Sequence, residues 1–241
     1  MAGSPGRRIL RAGLAVVAGL PILACGVTLS LKPAPLPTET PTIAPLPTCT
    51  PAANPLPGEG WTEYTLAKDG LVLALPASWR QVDLDNPPSG VFRAQVAREP
   101  GLAAAVAGMD PETRFFAFDL SPESVASDVL ANLSIVHRHL GAPASLAEFG
   151  SSNAREVAGM AALVAPPLQE SLQLPAGLAL RLRYQIALEG TSQDRRLALT
   201  QLLLVHGQEG YVVTLATAPA QAAHYATLFD EISNLLRWLD E

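Results

Sequence analysis

Hydrophobic and polar positions alternate most clearly between residues 180 and 188. Leu180, Leu182, Tyr184, Ile186 and Leu188 are interleaved with Arg181, Arg183 and Gln185. Successive strand side chains point to opposite faces, so this period of two predicts a strand with one buried and one wet face. The same logic predicts a hairpin from Tyr64 and Leu66 through Lys68-Asp69-Gly70 to Leu71, Leu73 and Leu75, with Pro76 closing the second strand. Further strands are expected over Val91–Ala97, Arg114–Leu120 and Leu168–Leu174. Another hairpin is expected where Leu197–Val205 and Tyr211–Thr217 flank Gly207-Gln208-Glu209-Gly210. Ser124–Leu140 fits helix and strand alike, because Leu133, Ile135 and His137 alternate with Ser134, Val136 and Arg138 amid good helix formers.

The three-to-four period of a helix appears in fewer places. An alanine-rich stretch, Pro100–Gly108, reads as a short helix. Leu146–Val157 is introduced by Ser145 with Glu148 three residues on, a capping-box signature. The last helix starts near Pro219. Tyr225, Leu228, Phe229, Ile232, Leu235, Leu236 and Leu239 form its apolar stripe, and His224, Asp230, Glu231, Asn234 and Arg237 face away. Successive hairpins with few helices predict an α+β domain, an antiparallel β-sheet flanked by helices, over residues 61–241.

The start of the chain follows a different pattern. Arg7, Arg8 and Arg11 precede an uncharged apolar run from Ala12 to Leu23, then Ala24 and Cys25. A basic n-region, an apolar h-region and a small residue before the cysteine make an export signal. Ile22-Leu23-Ala24-Cys25 resembles the lipobox of bacterial lipoproteins. That resemblance implies a signal peptide over 1–24, acylation of Cys25 as the first mature residue, and a lipid anchor on the extracytoplasmic face of the cell membrane. The alternative is an uncleaved membrane helix, since no charge falls between Arg11 and Lys32 and such a run spans about 30 Å of bilayer. Both readings put the rest of the chain outside. Residues 25–60 then form a linker, with nine prolines between Pro33 and Pro57. Proline fixes φ and lacks a donor, so the segment favours extended polyproline II and reaches at most about 75 Å at ~3.1 Å per residue.

Charge and cysteine usage narrow the function classes. The chain carries a formal charge of -6, and losing Arg7, Arg8 and Arg11 with the signal would make the remainder more acidic still. An acidic domain without a basic patch excludes nucleic acid as the expected partner. The two cysteines are Cys25 and Cys49. If Cys25 is acylated, Cys49 has no intrachain partner, so the domain must hold together by its core alone.

Several phrases of the domain carry a family resemblance. Gly70-Leu71-Val72-Leu73-Ala74-Leu75-Pro76-Ala77-Ser78-Trp79 resembles the strand-Pro-x-Ser/Asp-Trp opening of PsbP-like domains. Leu174-Pro175-Ala176-Gly177 before an alternating strand is similar to a later part of bacterial members. So is the pairing of strand Tyr211–Thr217 with a helix ending in Leu236-Arg237-Trp238. The resemblance spans about residues 61–240 and implies a PsbP-like α/β/α sandwich and a non-catalytic binding or assembly role. It implies no cofactor and no catalytic residues.

Candidate chemistry in the residues themselves is sparse. His137 and His139 would share one face of a strand and offer two zinc ligands, but no third or fourth ligand lies near them in sequence. Arg181 and Arg183 suit an anion, or an ordinary polar sheet face paired with acids. Gly150-Ser151-Ser152 reads as a loop with a candidate nucleophile, and Asp83 with Asp85 lacks the spacing of a calcium loop. No Gly-x-Ser-x-Gly, His-Glu-x-x-His or phosphate-loop pattern occurs. Trp61, Trp79 and Trp238 are expected to pack. These readings predict a non-enzymatic, lipid-anchored surface protein that binds a protein partner. A small-molecule or lipid binder with a pocket between sheet and helices is the alternative.

Overall fold

In the computed structural model, residues 58–84, 110–187 and 196–239 are described. Their strands form two antiparallel sheets. The smaller contains β1 (Trp61–Leu66), β2 (Leu71–Pro76) and β10 (Arg237–Trp238) in the order β1-β2-β10. The larger contains β3 (Trp79–Gln81), β4 (Thr113–Asp119), β5 (Asn132–His139), β6 (Leu168–Leu174), β7 (Gly177–Ala187), β8 (Arg196–His206) and β9 (Glu209–Thr217). Its order is β3-β4-β5-β9-β8-β7-β6. Three helices accompany them: a single turn, α1 (Pro122–Val125), then α2 (Leu146–Ala158) and α3 (Ala222–Asn234).

The turns follow from local chemistry. Gly70 (φ 64°) closes the β1–β2 hairpin at the Lys-Asp-Gly signal. Gly207 (φ 63°) takes the first position of the two-residue β8–β9 turn, where only glycine enters the left-handed region without steric cost. The expected capping box is present: the Ser145 hydroxyl accepts from the Glu148 amide, and the Glu148 carboxylate accepts from the Ser145 amide.

Each face of the larger sheet is covered. On one face, Phe115, Leu133, Ile135, Leu202, Leu204, Val213 and Leu215 pack against β2 and against Tyr225, Phe229, Ile232 and Leu236 at the end of the chain. On the other, Leu182, Tyr184, Ile186, Leu203 and Val212 pack against Phe149, Ala154 and Val157 of α2. The result is the expected antiparallel sheet between helices, with a small second sheet helping α3 to cover its side. A third cluster, Val82, Phe116 and Phe118, sits beside β3.

Several expectations are refined. Ser124–Leu140 divides between α1 and strand β5, so the alternation at 133–138 is the true signal. The last helix stops at Asn234. Arg237 and Trp238 leave it to pair with Val72 and Leu71, and Leu239 lies 45% exposed outside the stripe. Val91–Ala97, Pro100–Gly108, Asp85, Cys25, Cys49, the signal and the proline-rich segment up to residue 57 lie outside the described residues.

Candidate functional site

Strand β5 has two chemistries on one face. Leu133 and Ile135 are fully buried, and the same row continues into His137 and His139 toward the end of the strand. Pairing with β9 sets Tyr211 opposite His137 and Glu209 opposite His139. Pairing of β9 with β8 sets His206 on the far side of Glu209. The β1–β2 turn brings Asp69 to the same place.

The contacts are short and chain-like. His137 Nδ1 lies 2.7 Å from Asp69 Oδ1, and its Nε2 lies 2.7 Å from Glu209 Oε2. His139 Nδ1 is 2.8 Å from the other Glu209 oxygen. Arg114 Nε approaches Asp69 at 3.6 Å. The Tyr211 hydroxyl donates to the Asp69 backbone carbonyl at 2.7 Å, and its ring stacks on His137 at 4.9 Å and 8°. Beyond Tyr211 lie Trp238 at 5.2 Å and then His206, whose ring is 4.4 Å from that of Trp238. Trp238 Nε1 donates to the Ala176 carbonyl, and the Leu239 amide donates to Gly70.

Electrostatics agree with this wiring. The hydrogen bond from His139, with that from His137, holds the Glu209 carboxyl below its ordinary range despite some desolvation. Burial, reinforced by the charges of Asp69 and Glu209, pushes the Tyr211 hydroxyl up to about 12. His137 is mostly enclosed and His139 mostly open, with side-chain exposures of 18% and 64%. The group is a carboxylate–imidazole–carboxylate–imidazole chain whose outer imidazole meets solvent.

His137 and His139 stand two apart on one face of β5. The rings share a face, as a strand requires, but their nitrogens are turned to Asp69 and Glu209. Among the described residues no group of three or more histidine, cysteine or acidic side chains is arranged to hold a metal ion. Arg181 and Arg183 are paired with acids: Arg181 bonds Glu170 and Asp230, and Arg183 bonds Glu170. Asp230 is exposed, as expected, and its carboxylate also ties α3 to Arg181 of the sheet. Gly150-Ser151-Ser152 is helix interior rather than loop, and Gly150 faces Leu180 so closely that a Cβ would lie 2.3 Å from a Leu180 methyl. His224 is exposed, as expected, with its ring edge against Tyr225. Trp79 and Trp238 are buried in the core and Trp61 packs against it.

Two further polar groups were not read from the sequence. Asp119 is buried at the end of β4. It accepts from the Tyr225 hydroxyl at 2.6 Å, the Ser121 hydroxyl at 2.8 Å and the Ser121 amide at 2.9 Å. Burial pushes its carboxyl up, but these donors outweigh it and hold the group below its ordinary value. On the opposite face of the sheet Arg138 lies within 3.5–3.9 Å of Asp110, Glu112 and Glu156, which links α2 to β5.

The architecture defines an antiparallel α+β domain with a polar end cluster. No protein-family model matches the chain, and no curated protein matches it. Among solved structures it is similar to the cyanobacterial PsbP (CyanoP) of Synechocystis. The TM-score is 0.47 at 16% identity over 78% of this chain and 97% of that one. It is also similar to LpqN of Mycobacterium tuberculosis, described as involved in cell envelope biogenesis. There the TM-score is 0.44 at 12% identity over 73% of this chain and 89% of that one. The Ran-binding protein Mog1p of Saccharomyces cerevisiae gives 0.45 at 9% identity over 74% and 95%.

Proposed function

We propose that this chain is an extracytoplasmic, membrane-tethered module that docks a protein partner on its outer surface and performs no catalysis. The observation that carries the reading is the filling of the space between layers. A ligand pocket between sheet and helices would need the volume held by Leu71, Leu73, Leu75, Leu133, Ile135, Leu202, Val213, Ile232 and Leu236, each fully buried. Leu182, Leu203 and Val157 fill the other side in the same way. Protein interiors are generally close-packed, so a small molecule would enter this core only by displacing those side chains. Recognition is then left to the surface.

The tether rests on the sequence: the basic start, the apolar run, Cys25 and the proline-rich spacer. Crosslinking of the full chain in intact membranes, followed by affinity capture, is expected to recover one stoichiometric protein. Capture that yields no such protein, with native mass spectrometry showing a retained small molecule instead, overturns the docking reading in favour of a ligand binder. The tether is tested separately. Cys25→Ala is expected to shift the chain from membrane to soluble fractions and to remove the acyl mass. A wild-type mature chain that still carries Met1 would establish the uncleaved helix in place of the lipid.

A further inference from the structure

The geometry points to a proton-gated latch at the end of the larger sheet: doubly protonated His137 holds Asp69 and Glu209 at once, and the neutral ring keeps Asp69 and releases to solvent the Glu209 oxygen that faces it.

The argument is an inventory of donors. Both nitrogens of His137 lie 2.7 Å from carboxylate oxygens of two different residues. Ionised carboxylates only accept, and a neutral imidazole carries a single N–H. One of the two contacts therefore becomes a lone pair facing an anion when the ring loses a proton. His139 makes no such demand, because its one contact, Nδ1 to Glu209, is met by a neutral ring protonated at that nitrogen. His137 alone needs both protons.

Burial decides which contact opens. The Asp69 side chain is 8% exposed and that of Glu209 is 33% exposed. A buried carboxylate without partners is costly, whereas one at a hairpin end rehydrates by rotation. Asp69 also keeps Arg114 at 3.6 Å, and the Tyr211 hydroxyl bonds its backbone carbonyl, so the β1–β2 turn stays in place. The groups facing His137 are thus Asp69 from the turn, Arg114 from β4, Glu209 and the stacked Tyr211 from β9, with His139 next along its own strand. Of the two carboxylates Glu209 is the more exposed: its Oε2 can leave His137 for water while Oε1 stays on His139 Nδ1, beside the paired ends of β5 and β9. The Leu140 amide donates to the Gln208 carbonyl at 2.9 Å beside it, which makes that amide a reporter of the latch.

The test follows side-chain carboxyl and histidine ring resonances of the full chain by NMR from about pH 5.5 to about pH 8, where imidazole ordinarily titrates. The Glu209 carboxyl signal is expected to move in step with the His137 ring. Exchange protection of the Leu140 amide, corrected for intrinsic exchange, is expected to fall with rising pH by up to about tenfold per pH unit, the limit for one linked proton. His137→Gln should abolish both responses, and His139→Gln should keep them. A Glu209 carboxyl that is silent across this range, or a response that survives in His137→Gln, overturns the latch. So does a response that is lost in His139→Gln and kept in His137→Gln. Retained dispersion of the core methyl signals in both variants shows that the fold is intact.

Discussion

Phe229→Ala tests how α3 is seated. Phe229 is 1% exposed and lies in the core shared by α3, β2 and the larger sheet. Truncating a buried phenylalanine removes its transfer energy and leaves a cavity, at a cost of about 3–5 kcal/mol. Domains of this kind are stable by roughly 5–15 kcal/mol, so much of the total is at stake. With a urea dependence of about 2 kcal/mol per molar, the midpoint should fall by about 1.5–2.5 M. The neighbouring Asp230→Asn is the control. It weakens the bond to Arg181, but Asp230 is 53% exposed and Arg181 retains Glu170, so the change should stay below about 1 kcal/mol, or about 0.5 M. Urea unfolding followed by tryptophan fluorescence reads both. Equal midpoints for the two variants, or a Phe229→Ala shift below about 0.5 M, would refute the claim that this stripe of α3 is the buried one.

Other consequences are as direct. Burial, then the bond to Asp119, pushes the Tyr225 hydroxyl up to about 12, and Tyr211 is pushed up to about 12 as well. Because the folded state favours the neutral phenols, their contribution is present below the ordinary value near 10 and lost as pH rises from about 10 to about 12. An alkaline titration of tyrosinate absorbance should therefore show late ionisation coinciding with unfolding, and ionisation of every tyrosine near 10 would contradict it. Gly210→Ala would set a Cβ 2.9 Å from Phe149 Cζ and 3.2 Å from a Leu140 methyl. A strand position crowded by Phe149 of α2 and by Leu140 just past β5 is expected to lose about 1–3 kcal/mol on overpacking, read by thermal unfolding, and an unchanged midpoint would argue against that approach.

How much of this was legible depended on whether a feature is local. The strands at 61–66, 71–76, 177–187 and 196–217 follow from alternation and turn glycines, and the capping box at Ser145 placed α2, because each depends on neighbours in sequence. The end of α3 was missed because Leu235, Leu236 and Leu239 keep the helical spacing. Pairing of Arg237 and Trp238 with Val72 and Leu71, more than 160 positions away, overrides that spacing. The polar cluster was missed for the same reason. Asp69 and Glu209 looked like ordinary turn residues, and only the non-local pairing of β5 with β9 and the seating of the small sheet bring them to His137. Asp230 lies on the exposed face as its helical position implied, but periodicity could not show that its carboxylate reaches the buried Arg181 of the sheet.

The position of the cluster follows from the same topology. One face of β5 runs Leu133, Ile135, His137, His139, with the two-residue period unbroken while the chemistry changes. The change falls where the β1–β2 hairpin reaches its turn: Leu71 and Leu73 cover the apolar part of the larger sheet, and Asp69 of the turn meets the His137 imidazole. A row that continued as leucine beyond that point would face a solvated turn, and histidines placed earlier would be buried without partners. The same boundary places Tyr211, whose ring belongs to the core while its hydroxyl bonds the Asp69 carbonyl. The polar chain is therefore a product of where the small sheet ends.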